Sequence, residues 1–531
     1  MTSASKKIRP AAIHQDEMRI TPKVSKAKAE RPLILAIDVG TSVVRTMVFD
    51  RLGRAIEGLE SRRSHKIETQ PQGTSEANPD LLLRLVWDCI DQTVAEAAPF
   101  AREIKGVVSC TFVGNLMGID EKGRPLTPLV TYADTRSDDE AERLRSRLDE
   151  VQVHNRTGCR LHPSYWPSLL LWFAKNKPDL FGKVRQWISL GAYLQGKLFG
   201  QRSMTFSVAS WTGLLNRHRL VWDEGLLAHL PITEQQLPPL SDFNVPCEGL
   251  SKRYARRWPV LSRIPWFPAL GDGAAANIGS GCFSPHRVAL TVGSTTALRS
   301  VTDKPVSHLP KGLWCYRVDR KRQLLGGALS EGGSVYSWLR SVLKLGDERV
   351  VEKHLSASLP DGHGLTVLPF WAGERSPGWA GYARAALCGL SLATTPQDIL
   401  RAVLEAIAYR IALVFELLCP LLPPSPEVVA SGGALTHSSQ WLRIITDVLG
   451  LPVSPSRVEE PSARGVSLLG LEALGFLRDL KDVPDFIGPP FRPNAAWHGR
   501  YKEAAKRQKE LYRKLIGKDP SSIGIHRGGQ L

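Results

Sequence analysis

The chain has 531 residues, 43% hydrophobic and 23% charged, with 45 Gly and 37 Pro. That balance belongs to an ordinary globular protein of roughly two to four domains and excludes disordered and collagen-like classes. The net charge of +17 is mainly a property of the ends: residues 1–32 carry eight Lys/Arg against three Asp/Glu, and residues 500–531 carry nine against three. Basic runs of this kind are solvated tails more often than nucleic-acid faces, so no nucleic-acid partner is expected. The most apolar stretch, Ala402 to Leu422, is interrupted by Glu405, Arg410 and Glu416, which excludes a membrane span of about 18 apolar residues. The N-terminus lacks the apolar core of a secretory signal, and Asp16, Glu17 and Glu30 argue against a transit peptide. Eight scattered cysteines form neither a CxxC pair nor a zinc pattern, so reduced thiols in a cytoplasmic protein are expected.

In chain order, residues 1–31 read as a flexible basic extension. Leu33–Ile37 is a short buried strand, Asp38–Ser42 a turn, and Val43–Phe49 a second strand. Asn78 can cap a helix whose apolar face runs through Leu82, Leu83, Val86, Cys89, Ile90 and Val94. Val107–Ser109 and Leu116–Ile119 read as further strands, and strands interleaved with helices predict an α/β architecture. The stretch 137–265 is richer in helix and loop signals. A second organised block begins near Trp266, which divides the chain into domains over 32–265 and 266–480, with a basic tail over 481–531. This block echoes the first: Ala36-Ile37-Asp38-Val39-Gly40-Thr41-Ser42 is answered by Ala289-Leu290-Thr291-Val292-Gly293-Ser294-Thr295. Both are an apolar strand entering a glycine–hydroxyl turn, as two related domains would show.

Three segments carry candidate chemistry. In Asp38–Ser42, Gly40 lets backbone N–H groups approach a phosphate while Thr41, Ser42 and the nearby Arg45 add donors. Asp38 at the strand end can hold a hydrated Mg²⁺. From these residues alone, a tight hairpin with Asp38 capping amides is the favoured reading. Gly271-Asp272-Gly273, followed by small residues, is either a helix N-cap or a general base aimed into a cleft. Ser431-Gly432-Gly433-Ala434 follows an apolar strand and is either an ordinary turn or bare backbone for a flat ligand.

Together, in this order, these segments resemble the FGGY carbohydrate kinases over roughly residues 33–480. The resemblance implies two ribonuclease-H-like domains, the fold of sugar kinases, Hsp70 chaperones and actin, around a central nucleotide and substrate cleft. It implies ATP and Mg²⁺ as cofactors, Asp272 as catalytic base, and Asp38 holding Mg²⁺ through water. Phosphate would lie on Gly40, Thr41, Ser42, Arg45, Gly293, Ser294 and Thr295, and adenosine on Gly432, Gly433 and Ala434. Ala385–Leu390, continuing through Asp398 to Glu405, is similar to the C-terminal signature of the family. Thr131-Tyr132-Ala133-Asp134-Thr135-Arg136, Leu161–Tyr165 and Pro369–Trp379 are similar to gluconokinase-type members. Asp134, Arg136 and His162 are therefore the expected substrate contacts, Arg136 matching a carboxylate with its planar fork, and Asn115 is the candidate substitute for a histidine that the family has at the sugar pocket.

Two departures stand out. Val113-Gly114-Asn115 replaces an aromatic and a histidine at the sugar pocket, which bears on specificity. Thr296 replaces a glycine of the second phosphate turn, where a β-branched residue resists positive φ. The leading expectation is phosphorylation of a sugar acid, gluconate to 6-phosphogluconate. The alternatives are a ketose or polyol kinase of the xylulokinase kind, or a catalytically weak sugar-binding or regulatory relative. The assembly stays open between monomer and homodimer.

Overall fold

The computed structural model describes residues 22–70 and 73–517. The first sheet contains β1 (Lys23–Val24), β2 (Leu33–Val39), β3 (Val43–Phe49), β4 (Ala55–Ser64), β5 (Ile104–Thr111) and β6 (Leu270–Gly271) in the order β1-β4-β3-β2-β5-β6. The second contains β7 (Arg287–Val292), β8 (Thr296–Thr302), β9 (Trp314–Arg317), β10 (Gln323–Leu329), β11 (Glu427–Ser431) and β12 (Val453–Pro455) in the order β9-β10-β8-β7-β11-β12. In each, a hairpin (β2–β3, β7–β8) is joined on one side by an antiparallel strand (β4, β10), and two parallel strands continue on the other; the outer edge strand differs, β1 being parallel to β4 and β9 antiparallel to β10. The echo between Ala36–Ser42 and Ala289–Thr295 is therefore a repeat of topology. β2 is buried along its whole length, as a central strand covered on both faces must be.

Helix α1 (Pro79–Glu96) begins where Asn78 predicts, its side chain accepting the Leu81 N–H at 3.0 Å. Leu82, Leu83, Val86, Cys89 and Ile90 are buried against the first sheet, whereas Val94 is only half-buried. Its neighbour Thr93 takes the inner place through a 2.6 Å hydroxyl contact with Thr46.

Four more helices frame the cleft: α2 (Asp272–Gly279), α3 (Gly333–Val342), α4 (Pro396–Leu418) and α5 (Pro461–Ala473), followed by a C-terminal α6 (Ala495–Leu515). Helices α2 and α5 cross with their backbones touching. A Cβ on Gly465 would overlap the Ala275 carbonyl oxygen, and one on Gly279 the Pro461 carbonyl oxygen. Beside the crossing, buried Arg464 donates to the carbonyls of Gly53, Gly279 and Pro484. One guanidinium thus ties the first domain, α2 and the C-terminal segment together.

Three boundaries differ from the sequence reading. Strand β6 pairs with β5, so the first sheet extends past residue 265. The expected flexible extension is ordered from residue 22: β1 pairs in parallel with β4 and Val24 is buried, while residues 1–21 lie outside the described residues. The expected tail is a docked helix to residue 515, with Tyr501, Ala504, Gln508 and Tyr512 buried; residues 518–531 lie outside the described residues. Among the described residues, no helix is long and apolar enough to cross a membrane.

Gly465→Ala should destabilise by about 1–3 kcal/mol through overpacking and lower activity, because it pushes α2 away. Gly499→Ala, where an added Cβ meets nothing within 4 Å, is the control. Denaturant melts of both variants check this; equal stability would mean the crossing tolerates separation.

Candidate active site

Register places the chemistry. Asp38 on β2 lies opposite Cys110 on β5, and Cys110 lies opposite Leu270 on β6. Three parallel strands thus end side by side, bringing Asp38, Thr111 and Asp272 to the sheet edge where α/β folds receive ligands. Asp38 Oδ1 accepts from the Cys110 thiol at 3.3 Å, and Arg45 Nε lies 3.6 Å from its Oδ2. Arg45 also pairs with Glu460, whose other oxygen is 3.1 Å from Arg62. Asp272 is the first residue of α2 and accepts the Gly273 N–H at 2.7 Å. A helix N-terminus favours the anion, but burial, reinforced by the charge of Asp38, pushes the Asp272 carboxyl up to about 7. Burial likewise raises Asp38, against the pull of Arg45. A carboxyl poised near neutrality is suited to taking a proton.

Asp272 opens onto a cavity of about 180 Å³ lined from both domains. One wall is an aromatic stack, with Trp211 on Tyr316 at 3.7 Å and Tyr316 on Trp314 at 4.4 Å. The Tyr165 and Tyr316 hydroxyls meet at 2.6 Å behind it. Five lining side chains carry a buried N–H without a partner: Nε1 of Trp211, Trp314 and Trp379, and Nε of Arg299 and Arg375. Orphan buried donors are costly.

The glycine turns lie beyond Asp38. Gly40 N–H donates to the Val43 carbonyl at 3.0 Å, and Gly293 N–H to the Thr295 carbonyl at 2.9 Å. Ser42 and Ser294 are exposed at the tips, with Thr41 and Thr295 half-buried. Thr296 belongs to β8, paired with Val292, and is not among the positive-φ residues; the strain expected there does not arise. Thr291 and Ser431 are partners on adjacent parallel strands, which sets the second turn beside Gly432. Gly432 has φ +105°, and a Cβ there would overlap the Val292 carbonyl oxygen. Gly432 and Gly433 open onto a groove of about 360 Å³ whose far side is Pro455–Glu459. Ala434 packs instead on Gly333.

Residues 33–279 match the N-terminal domain, and residues 288–474 the C-terminal domain, of the FGGY family of carbohydrate kinases. The chain belongs to that family. It is an ATP-dependent carbohydrate kinase. It is 27% identical over 490 residues to the gluconokinase of Bacillus subtilis, covering 90% of this chain and 94% of that protein. It is 29% identical over 467 residues to the glycerol kinase of Trichlorobacter lovleyi, covering 85% and 92%. Its fold is similar to the gluconate kinase and the xylulose kinase of Lactobacillus acidophilus, each with TM-score 0.83 and 24% identity over 92% of this chain and 99% of the other.

Within this kinase the expected substrate contacts lie elsewhere. Asn115 is buried and committed to backbone: its amide donates to the Phe112 carbonyl and its Oδ1 accepts the Leu190 N–H at 2.8 Å. Arg136 is held by Asp134 and Glu76 and lies over the Trp172 ring at 4.8 Å. Asp134, fully buried, also accepts the Ser75 N–H at 2.8 Å. Neither Asp134 nor Arg136 lines the cavity. His162 packs edge-on behind Trp379 at 5.3 Å, and burial pulls its pKa down to about 3, so it stays neutral. Gly114 does line the cavity, at φ +66°, and a Cβ would sit 2.9 Å from Tyr132 Cβ; a histidine cannot simply be restored there.

What sequence reasoning missed is Arg375, Trp379 and Arg299. Arg375 and Trp379 stand in the Pro369–Trp379 segment, so the resemblance was visible, but only the fold shows which of its side chains reach the cavity.

The raised carboxyl predicts a stability signature. Between the ordinary pKa near 4 and about 7, the native state holds a proton that the unfolded state has released, so stability falls as pH rises through this window. Asp272→Asn escapes that loss. Its melting temperature should exceed wild type by roughly 1–3 °C at about pH 8, with the gap closing towards pH 5. A variant less stable than wild type at both pH values contradicts the assignment.

Proposed function

We propose that this kinase transfers the γ-phosphoryl group of ATP to the terminal hydroxyl of a sugar acid, gluconate giving 6-phosphogluconate. The observation that carries this reading is the cavity's set of unpaired N–H donors, two of them on guanidinium groups. Such a lining suits a polyhydroxylated anion better than a small neutral polyol. Arg375 takes the role expected of Arg136, since its Nε is free and its fork matches a carboxylate bidentately. The likeness to gluconokinases supports the same substrate.

Asp272 accepts the proton as the hydroxyl attacks the γ-phosphorus, and ADP leaves in line. The Gly40–Ser42 and Gly293–Thr295 turns offer amide and hydroxyl donors to the phosphates, in a step that needs mainly positioning and charge neutralisation. Gly432 and Gly433 back the adenosine. Arg45 is shared between Asp38 and Glu460, so it positions Asp38 as well as adding charge near the phosphates. The residues fit Mg²⁺: Asp38 is a hard oxygen donor whose buried charge is only partly offset by Arg45. Bound there through water, the ion would neutralise phosphate oxygens. The eight cysteines are all free thiols, which supports a cytoplasmic setting.

A second reading, a ketose or polyol kinase, is favoured by the similarity to glycerol kinases. The juxtaposed Asp38 and Asp272 argue against the catalytically weak alternative.

A coupled ADP-release screen over aldonates, pentuloses and polyols decides between these readings. Gluconate should give the highest kcat/KM. Arg375→Leu should raise its KM about tenfold to a hundredfold, the worth of a charged hydrogen bond, with KM for ATP nearly unchanged. A better neutral acceptor, insensitive to Arg375→Leu, would overturn the sugar-acid reading.

A further inference from the structure

Glu331 has no part in the chemistry above, yet it lies between the two binding regions. It follows β10 and is 2% exposed, with Oε1 lacking any hydrogen-bond partner. The next residues clamp the second phosphate turn. Gly333 N–H donates to the Gly293 carbonyl at 2.7 Å, and the Ser334 N–H and hydroxyl donate to the Ser294 carbonyl at 3.2 and 2.6 Å. A Cβ on Gly332 would sit 2.8 Å from the carbonyl carbon of Thr295, so this contact is close. On its other side, the backbone N–H of Ala372 faces the Glu331 carboxyl. Ala372 stands three residues before Arg375 in the cavity wall.

The charges around it do not balance. Arg410, on α4, pairs with Glu374, and Glu374 also accepts the Tyr512 hydroxyl at 2.7 Å. The same Arg410 is the cation facing Glu331, and its Nε is buried without a partner. One guanidinium therefore faces two buried carboxyls and pairs with only one of them, Glu374. A second buried anion is costly to keep ionised.

We propose that Glu331 is a positioning residue that works as the neutral carboxylic acid, tying the second phosphate turn to the cavity wall that carries Arg375. When it loses its proton to solvent, the uncompensated buried charge loosens that tie and weakens both binding regions together. Burial pushes this carboxyl up to about 8, in agreement with the cluster's geometry. The charged groups facing it are Arg410 from α4 and Glu374 from the wall; Tyr512 of α6 acts through Glu374.

The test rests on the family's kinase activity and not on gluconate, so it uses whichever acceptor turns over in the screen. Wild-type kcat/KM should fall on the alkaline side, half lost near pH 8. Glu331→Gln keeps an acceptor for Ala372 but cannot ionise. At about pH 7 its kcat and both KM values should stay within about twofold of wild type, and at about pH 9 it should be roughly threefold or more faster. Glu331→Leu, which removes the acceptor, should raise KM for ATP and for the acceptor together at neutral pH. A tenfold loss in Glu331→Gln at pH 7 would mean the anion is required. An alkaline limb shared by wild type and Glu331→Gln would mean another group titrates. Calorimetry of ADP on the wild-type protein gives an independent readout: Kd should weaken several-fold from about pH 7 to 9, and an unchanged Kd contradicts the proposal.

Discussion

Two helix backbones touch where α2 crosses α5, because neither Gly279 nor Gly465 carries a side chain. The first turn of α2 holds Asp272, and α5 begins immediately after Glu460, which reaches Arg45 beside Asp38. The crossing therefore sets the separation between the Asp38 and Asp272 carboxyls. Arg464 reinforces it with three carbonyl contacts, a role for a buried cation that burial pulls down to about 10. The packing of the two helices and the distance between these two carboxyls are governed by the same contact.

Around this crossing the site holds polar groups that the protein does not satisfy on its own. Burial raises both Asp38 and Asp272, and the charge of Asp38 raises Asp272 further, while Arg299, Arg375 and the cavity tryptophans keep N–H groups without partners. Such groups cost stability in the free protein and are released by a ligand that brings complementary charge. On the function proposed above, a sugar acid, the phosphate chain of ATP and Mg²⁺ would be complementary to those groups. Preorganised donors of this kind need no reorganisation at the moment of transfer.

Local signals made much of this fold legible. The strand–glycine–hydroxyl echo marked the duplicated sheet because β2 and β7 occupy equivalent central places. Asn78 marked the start of α1, and Asp272 between two glycines marked the start of α2. Arg136 misled because its partners are not all local: Glu76 comes from a separate strand and completes a pair with Asp134. Arg375 was hidden because nothing in a loop's composition shows which side chain points inward. The basic C-terminal segment looked solvated, yet Tyr501, Ala504, Gln508 and Tyr512 recur at helical spacing and bury one face. The charge of its outer face masked that stripe.

The central claim is that burial beside Asp38 turns Asp272 into a base poised near neutrality. Its most direct test is the ionisation of the Asp272 carboxyl in the ligand-free protein, read as the proton uptake that wild type shows and Asp272→Asn lacks. The account predicts a difference centred near pH 7. A difference centred near pH 4, where an ordinary aspartate titrates, would contradict it.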